Sequence, residues 1–276
     1  MRQTTVPARH RRVAILRRLA LAMLAGGWLA ATPAAASDPA SRAPTAQAGA
    51  APESALRVLR YAFPVAETGF DPAQVSDLYS ANVIAHIFDS PLQYDFLARP
   101  AQLKPSTAAE LPEVSPDGMR IRVRIRPGIF FADDPAFGGK PRELTAADYV
   151  YSIKRHYDPR WRSPSLGTFE EYLAGLPELR AQALATGRFD YDREVEGLRT
   201  LDRYSFEIKL VKPNFVLVHA LAECRATCAL AREVVEAYGD RIMEHPVGTG
   251  PFRLVAWKRS SRMSFERNPN YRDERY

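Results

Sequence analysis

HPVGTGPFRLVAWKRSSRMSFERNPNYR, residues 245–272, decides how the chain is read. Gly248, Thr249 and Gly250 stand in the order that a phosphate-binding loop uses. Such a loop must run into a helix, because the free N–H groups and the dipole of the helix N-terminus hold the anion. Here Pro251 leads instead into FRLVAW, where Phe252 and Leu254 alternate with Arg253 and Val255. KRSSR (258–262) supplies a turn and MSFER alternates again, so the pattern predicts a hairpin. The dinucleotide fingerprint also needs a third glycine where Arg253 stands. A Walker loop fails at Gly139 and Lys140: Pro141 replaces the required Ser or Thr, and Asp134 occupies the place of the first glycine. We therefore read Gly248, Thr249, Gly250 and Pro251 as a structural turn into a strand, with glycine permitting the sharp corner.

Upstream, the pattern predicts a mixed order of strands and helices. LRVLRYAF (56–63) reads as a strand, VSDLYSANVIAHIF (75–88) as a helix and PLQYDFL (91–97) as a short strand. The clearest period of two is MRIRVRIR (119–126), with Met119, Ile121, Val123 and Ile125 on one face and four arginines on the other. That is a half-exposed antiparallel strand whose arginine face is solvated. Thr145 and Asp148 open a capping-box helix that Asp158 and Pro159 stop near Tyr157. A helical region over 169–185, a short helix near 192–199, a strand over 203–211 and a helix over 231–240 complete the expectation.

Charge and export signals bound the setting. The formal net charge is +6, from 38 basic and 32 acidic residues. Residues 1–36 hold six arginines and no acid, so the remainder carries 32 basic against 32 acidic residues and is neutral. A neutral body cannot supply the phosphate neutralisation that drives nucleic-acid binding. Arginines from Arg9 to Arg18, then the apolar run LALAMLAGGWL (19–29), then Ala34, Ala35 and Ala36 read as a signal peptide over 1–36. The apolar run has eleven residues, short of the roughly 20 that a spanning helix needs. Arg11 and Arg12 leave Sec and twin-arginine export both open. No cysteine lies near the cleavage position, so the expected product is a soluble exported protein without a lipid anchor. Residues 37–54, rich in Ala, Pro and Ser, read as a flexible leader, with the folded part over 55–276.

Catalytic constellations are weak. G-x-S-x-G and H-E-x-x-H do not occur. His219, Glu223, Cys224 and Cys228 could supply zinc-type ligands, but their spacing matches no metal pattern and their apolar neighbours look like core. Asp133 with Asp134 and Glu170 with Glu171 are adjacent acids that point apart on a regular element, so they say nothing about acid–base work. Cys224 and Cys228, the two cysteines, stay open between a local disulfide, two buried thiols and redox or metal chemistry. No cofactor and no metal is expected.

Four stretches in order resemble the extracellular solute-binding proteins of family 5, the peptide- and nickel-binding receptors of ABC importers. They are SPDGMRIRVRIRPGIFFADD (115–134), ELTAADYVYSIKRHYDP (143–159), LDRYSFEIKLVKP (201–213) and the stretch over 231–272, with Pro-x-Gly-Thr-Gly-Pro-aromatic, a hairpin and Arg-Asn-Pro-x-Tyr. The resemblance implies an α/β lobe, mixed sheets with flanking helices, from a two-lobed periplasmic-binding-protein-like fold of type II (class C). It also implies capture rather than chemistry. A peptide or related small solute enters a cleft, the lobes close, and the closed monomer docks on permease subunits in the inner membrane. The inserted loop DDPAFGGKPRE (133–143) departs from the family pattern. The sequence runs five residues past the Arg-Asn-Pro-x-Tyr signature, so the resemblance is expected to cover the first lobe, truncated before the second. It places Ala66, Glu67 and Thr68 at the cleft mouth, with Glu67 set to meet a ligand amine. The competing expectations are an exported hydrolase with an unrecognised nucleophile and a non-functional fragment of the receptor.

Overall fold

The computed structural model describes residues 57–272. The signal peptide (1–36) and the leader (37–54) lie outside the described residues. The chain divides into two units, 1–59 and 60–276, and every element named below belongs to the second. Among the described residues no helix is long and apolar enough to cross a membrane.

Helix α1 (Leu78–Ile87) starts three residues later than the apolar spacing from Val75 suggests. The reason is a cap: the Asp77 carboxylate accepts from Ser80 N at 2.8 Å, taking up one of the free N–H groups of the first turn. Val83, Ile84 and Ile87 are buried on one face. The chain then pairs β1 (Leu92–Tyr94) with β2 (Leu103–Pro105), antiparallel. Strand β1 is shorter than the 91–97 run expected, and Phe96 and Leu97 stay exposed at the turn.

A four-stranded sheet follows, in the order β3-β4-β6-β5. It contains β3 (Glu113–Val114) and β4 (Arg120–Arg124), and after α2 (Ala146–Tyr157) and α3 (Leu176–Thr186) it gains β5 (Leu198–Asp202) and β6 (Ser205–Lys209). Register sets Ile121 against Ile208 and Val123 against Phe206, all buried. The other face carries the arginines. Arg122 reaches Glu113 at 3.6 Å and Glu207 at 3.4 Å, and Arg199 meets Glu207 at 2.7 Å. The arginines themselves are exposed, as the period of two predicts, while the Glu207 carboxylate that two of them share is buried beneath them.

The last part holds α4 (Leu217–Ala220), α5 (Cys224–Thr227), α6 (Arg232–Tyr238) and the hairpin β7 (Phe252–Lys258) with β8 (Arg262–Arg267). The class is mixed α/β, and every strand pairing among the described residues is antiparallel rather than mixed.

Two expected elements are not formed. Residues 57–63 run without strand hydrogen bonds, because none of the described strands pairs with them; Val58 and Tyr61 are exposed. The short helix near 192–199 is instead a turn leading into β5, whose Leu198 and Arg199 pair with Ile208 and Glu207. Tertiary pairing overrides a weak local preference there.

Helix α2 is the centre of the core. Thr145 N donates to Asp148 Oδ2 at 2.8 Å, the acidic half of the expected capping box. Burial pushes the Asp148 carboxyl up, although Arg142 grips it at 2.7 and 3.1 Å. At the far end His156 is fully enclosed. Its Nε2 lies 2.8 Å from Ala226 O and its Nδ1 2.6 Å from Ser163 Oγ. Burial pushes the ring down from 6.5 to about 4. The folded protein then takes up this proton later than the unfolded chain as the pH falls. His156 therefore costs no stability above about pH 6.5 and an increasing amount from there down to about pH 4, reaching about 3 kcal/mol. Urea midpoints measured across that window should fall for the parent chain and fall less for His156→Gln; equal slopes would mean the ring is not held neutral.

Candidate ligand-binding site

The corner at Gly248 and Gly250 is fixed by contact rather than by a left-handed backbone. A Cβ on Gly248 would sit 2.1 Å from Ile87 O, and one on Gly250 would sit 2.7 Å from the same atom. Both glycines exist so that the chain can press onto the last turn of α1. Gly250 N donates to Ile87 O at 2.8 Å, which satisfies a helix-end carbonyl. Thr249, buried, donates its hydroxyl to Asp89 Oδ2 at 2.8 Å. Arg272 reaches the same carboxylate at 2.7 Å, and the Tyr149 hydroxyl donates to Asp89 O at 3.2 Å. Pro251 O accepts from Asn268 N at 2.8 Å, and Gly250 O accepts from Asn268 Nδ2 at 2.9 Å, closing the base of the hairpin. No helix follows the glycines, so the phosphate-loop reading fails in the structure as it does in the sequence.

The hairpin in turn meets the loop over 66–68. Ala66 and Thr68 are exposed, but Glu67 is buried. Its Oε1 accepts from the Trp257 indole Nε1 and, at 3.4 Å, from Ser260 N at the hairpin turn. The carboxylate expected to face a ligand amine is thus occupied by the hairpin. Thr68 Oγ1 donates to Asp77 Oδ2 at 2.6 Å, so the same loop also braces the cap of α1. Phe70 packs on Trp257 with ring centroids 4.8 Å apart. Next to it Asp71 and Arg155 form a fully buried pair, with two hydrogen bonds of 2.7 and 2.8 Å. Burial alone would raise the Asp71 carboxyl; the Arg155 charge and hydrogen bonds overcome it and hold the group below the ordinary carboxylate range. This pair pins the loop onto α2. Nothing in the sequence pattern paired two residues so far apart in the chain.

Beside Trp257 lies a cavity of about 680 Å³. Its floor is β7, and its walls are the loop at 132–134, which opens the insertion, and the loop at 244–247. Asp133, Asp134 and Glu244 stand on the loops; Arg253 and Arg259 stand on or just beyond the strand. The volume is in the usual range for a small-molecule site. A smaller hollow of about 380 Å³ lies beside α1 and Cys224.

Cys224 and Cys228 are joined as a disulfide, with Cα atoms 4.6 Å apart. A continuous helix would misalign them. Helix α5 ends at Thr227, and Cys228 turns to extended backbone (φ −67°, ψ 138°), which lets the sulfurs meet. The zinc-type set is accordingly not assembled: both sulfurs are used, and His219 Nδ1 lies 3.0 Å from Tyr94 OH. Among the described residues no group of three His, Cys, Asp or Glu side chains is placed to hold a metal ion.

Comparison with known proteins gives a consistent picture. The family model for bacterial extracellular solute-binding proteins, family 5 Middle, matches residues 102–276. Di/tripeptide-binding protein 2 of Pseudomonas aeruginosa is 27% identical over 235 residues, covering 81% of this chain and 40% of that protein. Glutathione-binding protein GsiB of Pectobacterium atrosepticum is 24% identical over 204 residues, covering 74% of this chain and 33% of that protein. The chain therefore spans 40% or less of the length of these curated relatives. Among solved structures, Haemophilus influenzae OppA in complex with the peptide RPPGFSPFR matches with a TM-score of 0.59 at 23% identity, over 74% of this chain and 36% of that one. Helicobacter pylori DppA in complex with the peptide STSA matches with a TM-score of 0.59 at 21% identity, over 74% and 38%. These likenesses establish the fold of one lobe.

Two measurements test the architecture of the site. Gly248→Ala should lower stability by about 1–3 kcal/mol, because the added methyl forces the corner off α1; an unchanged urea midpoint would show that the corner moves freely. Glu67→Ala should leave the Trp257 indole without its acceptor, costing about 1–2 kcal/mol and shifting tryptophan emission. Unchanged emission and melting would mean that Glu67 does not hold the hairpin.

Proposed function

The chain belongs to the bacterial extracellular solute-binding proteins of family 5, and from that premise we propose that it forms the first lobe of an exported peptide receptor serving an ABC importer. The reading is capture without catalysis. The observation that carries it is the cavity beside Trp257, set on a lobe with the fold of solved peptide receptors. Di- and tripeptides are the proposed ligands, in line with the names of the relatives and with a cavity of this volume.

In this reading residues 55–276 form the lobe, residues 1–36 direct export and residues 37–54 tether. The mature product works in the periplasm as a soluble monomer and delivers its ligand to permease subunits of the inner membrane. Ligand capture is coupled to closure against a second lobe, which requires contacts that differ between the open and closed states. Ala66 and Thr68, exposed on the loop that carries Glu67, form the proposed rim of the site. Glu67 acts through Trp257, by holding its ring at the cavity wall.

A thermal shift on the purified full chain tests the proposal. The tripeptide Ala-Leu-Ala at a hundredfold excess over its Kd should stabilise the chain by about 2.7 kcal/mol and raise Tm by about 5–10 °C. A disaccharide of similar mass should leave Tm unchanged. A sugar response without a peptide response would reject the peptide class.

A further inference from the structure

The smaller hollow, beside α1, has half of a disulfide in its wall. Cys224 is half-buried and lines this space of about 380 Å³, whereas Cys228 is buried and takes no part in the wall. The two sulfurs of the bond are therefore inequivalent. A nucleophile in the hollow meets Cys224, and Cys228 is the sulfur that leaves. The volume lies within the range of small-molecule sites. The charged groups of the wall already have partners. Arg225 meets Glu223 at 3.0 Å, and Asp89 meets Arg272 at 2.7 Å. The rest of the wall is uncharged, with Leu78, Asn82, Leu92 and Gln93 part of it, so it makes no demand on the charge of an incoming molecule. The surroundings suit the open form of the bond as well as the closed one. Cys228 Sγ lies 3.5 Å from Ser90 Oγ, whose hydroxyl can donate to a thiolate formed there. Cys224 Sγ lies 3.7 Å from Ile84 O, an acceptor for its S–H once the bond is open. The bond joins residues only four apart in sequence, which restricts the unfolded chain little, so the fold gains little from keeping it closed. A disulfide with an accessible sulfur is the labile kind.

We propose that Cys224 is a site of thiol–disulfide exchange with small thiols that enter this hollow. The incoming thiol loses its proton, and its thiolate attacks Cys224 Sγ. A new S–S bond forms there and the Cys224–Cys228 bond breaks. The electron pair of the broken bond stays on Cys228 Sγ, beside the Ser90 hydroxyl, and that thiolate takes up one proton. The products are a mixed disulfide on Cys224 and a thiol on Cys228, so the step needs no further oxidant or reductant. Cys228 can reverse it by attacking Cys224 and expelling the small thiol, which makes the attachment reversible. The inference goes beyond the peptide-receptor reading and does not depend on it, because the hollow shares no lining residue with the cavity beside Trp257.

Peptide mapping on the full chain tests the assignment, because a tryptic cut after Arg225 separates the two cysteines. The oxidised chain is exposed to an excess of reduced Ala-Cys-Ala and then quenched with N-ethylmaleimide in denaturant. The tripeptide should appear on the fragment ending at Arg225 at least about tenfold more often than on the fragment that follows, which should carry N-ethylmaleimide. Two variants approach the same mixed disulfide from the other side. In native buffer Cys228→Ser should accept a tripeptide unit from the disulfide form of Ala-Cys-Ala at least about tenfold faster than Cys224→Ser does, and in urea the two should react alike. An even distribution over the two fragments, equal native rates for the two variants, or a preference for Cys224 that persists in urea would overturn the assignment. A disulfide that stays closed under excess Ala-Cys-Ala, with no adduct formed, would overturn it as well.

Discussion

The contact between two glycines and one carbonyl organises this lobe. Ile87 O ends α1, and it is approached so closely by the chain at Gly248 and Gly250 that no side chain fits at either position. The hydrogen bond from Gly250 N then makes the helix end and the start of the hairpin a single unit. A two-stranded hairpin is marginal by itself in water. Strands β7 and β8 are held because their base is tied to α1 through the corner and Asn268, and their turn is tied to the loop over 66–68 through Glu67. Asp89, two residues past the critical carbonyl, gathers Thr249 and Arg272 on its carboxylate, so the residues that follow β8 return to the place where β7 began.

Charge is handled differently at the corner and at the cavity. Around the corner the buried acids have cationic partners: Asp89 has Arg272, and Asp71 has Arg155. Such groups are neutralised where they are buried, because an uncompensated charge in the interior is costly. In the cavity the acids Asp133 and Asp134 have amide, backbone and hydroxyl donors, which fix their direction and leave their charge in place.

Sequence reading reached the elements whose signal is local. The alternation in MRIRVRIR, the Thr145 and Asp148 cap and the hairpin after Pro251 depend on neighbours within a few residues, and each is found in place. The glycines were legible as a corner, but the reason was not. The pattern suggested a permissive backbone, whereas the structure shows a steric demand imposed by Ile87, more than 150 residues away in the chain. Glu67 shows the same limit. Its exposed-looking loop gave no sign of an indole donor from Trp257. Residues 56–63 read as a strand from their apolar content, yet a strand needs a partner edge, and none of the described strands supplies one to residues 57–63. The cysteine pair turned on whether Cys228 is helical, a question of one residue's backbone that spacing alone could not answer.

The Asp71–Arg155 pair shows why the loop beside the cavity is positioned so firmly. A buried ion pair is weak evidence for stability, since desolvation offsets much of the attraction. What it does supply is direction. Two parallel hydrogen bonds fix the angle between the loop and α2, and the Arg155 guanidinium lies 4.3 Å over the Trp161 ring, which blocks other rotamers. Phe70 sits next to Asp71, its N–H held by Met243 O at 2.9 Å and its ring against Trp257. The indole at the cavity wall is thus referred back to the core helix through three contacts in series. Met243 immediately precedes Glu244, so one short segment of backbone carries both the brace and a charged group of the cavity. Movement of the loop over 66–70 would shift Trp257 and Glu244 together, so two walls of the cavity are coupled through one loop.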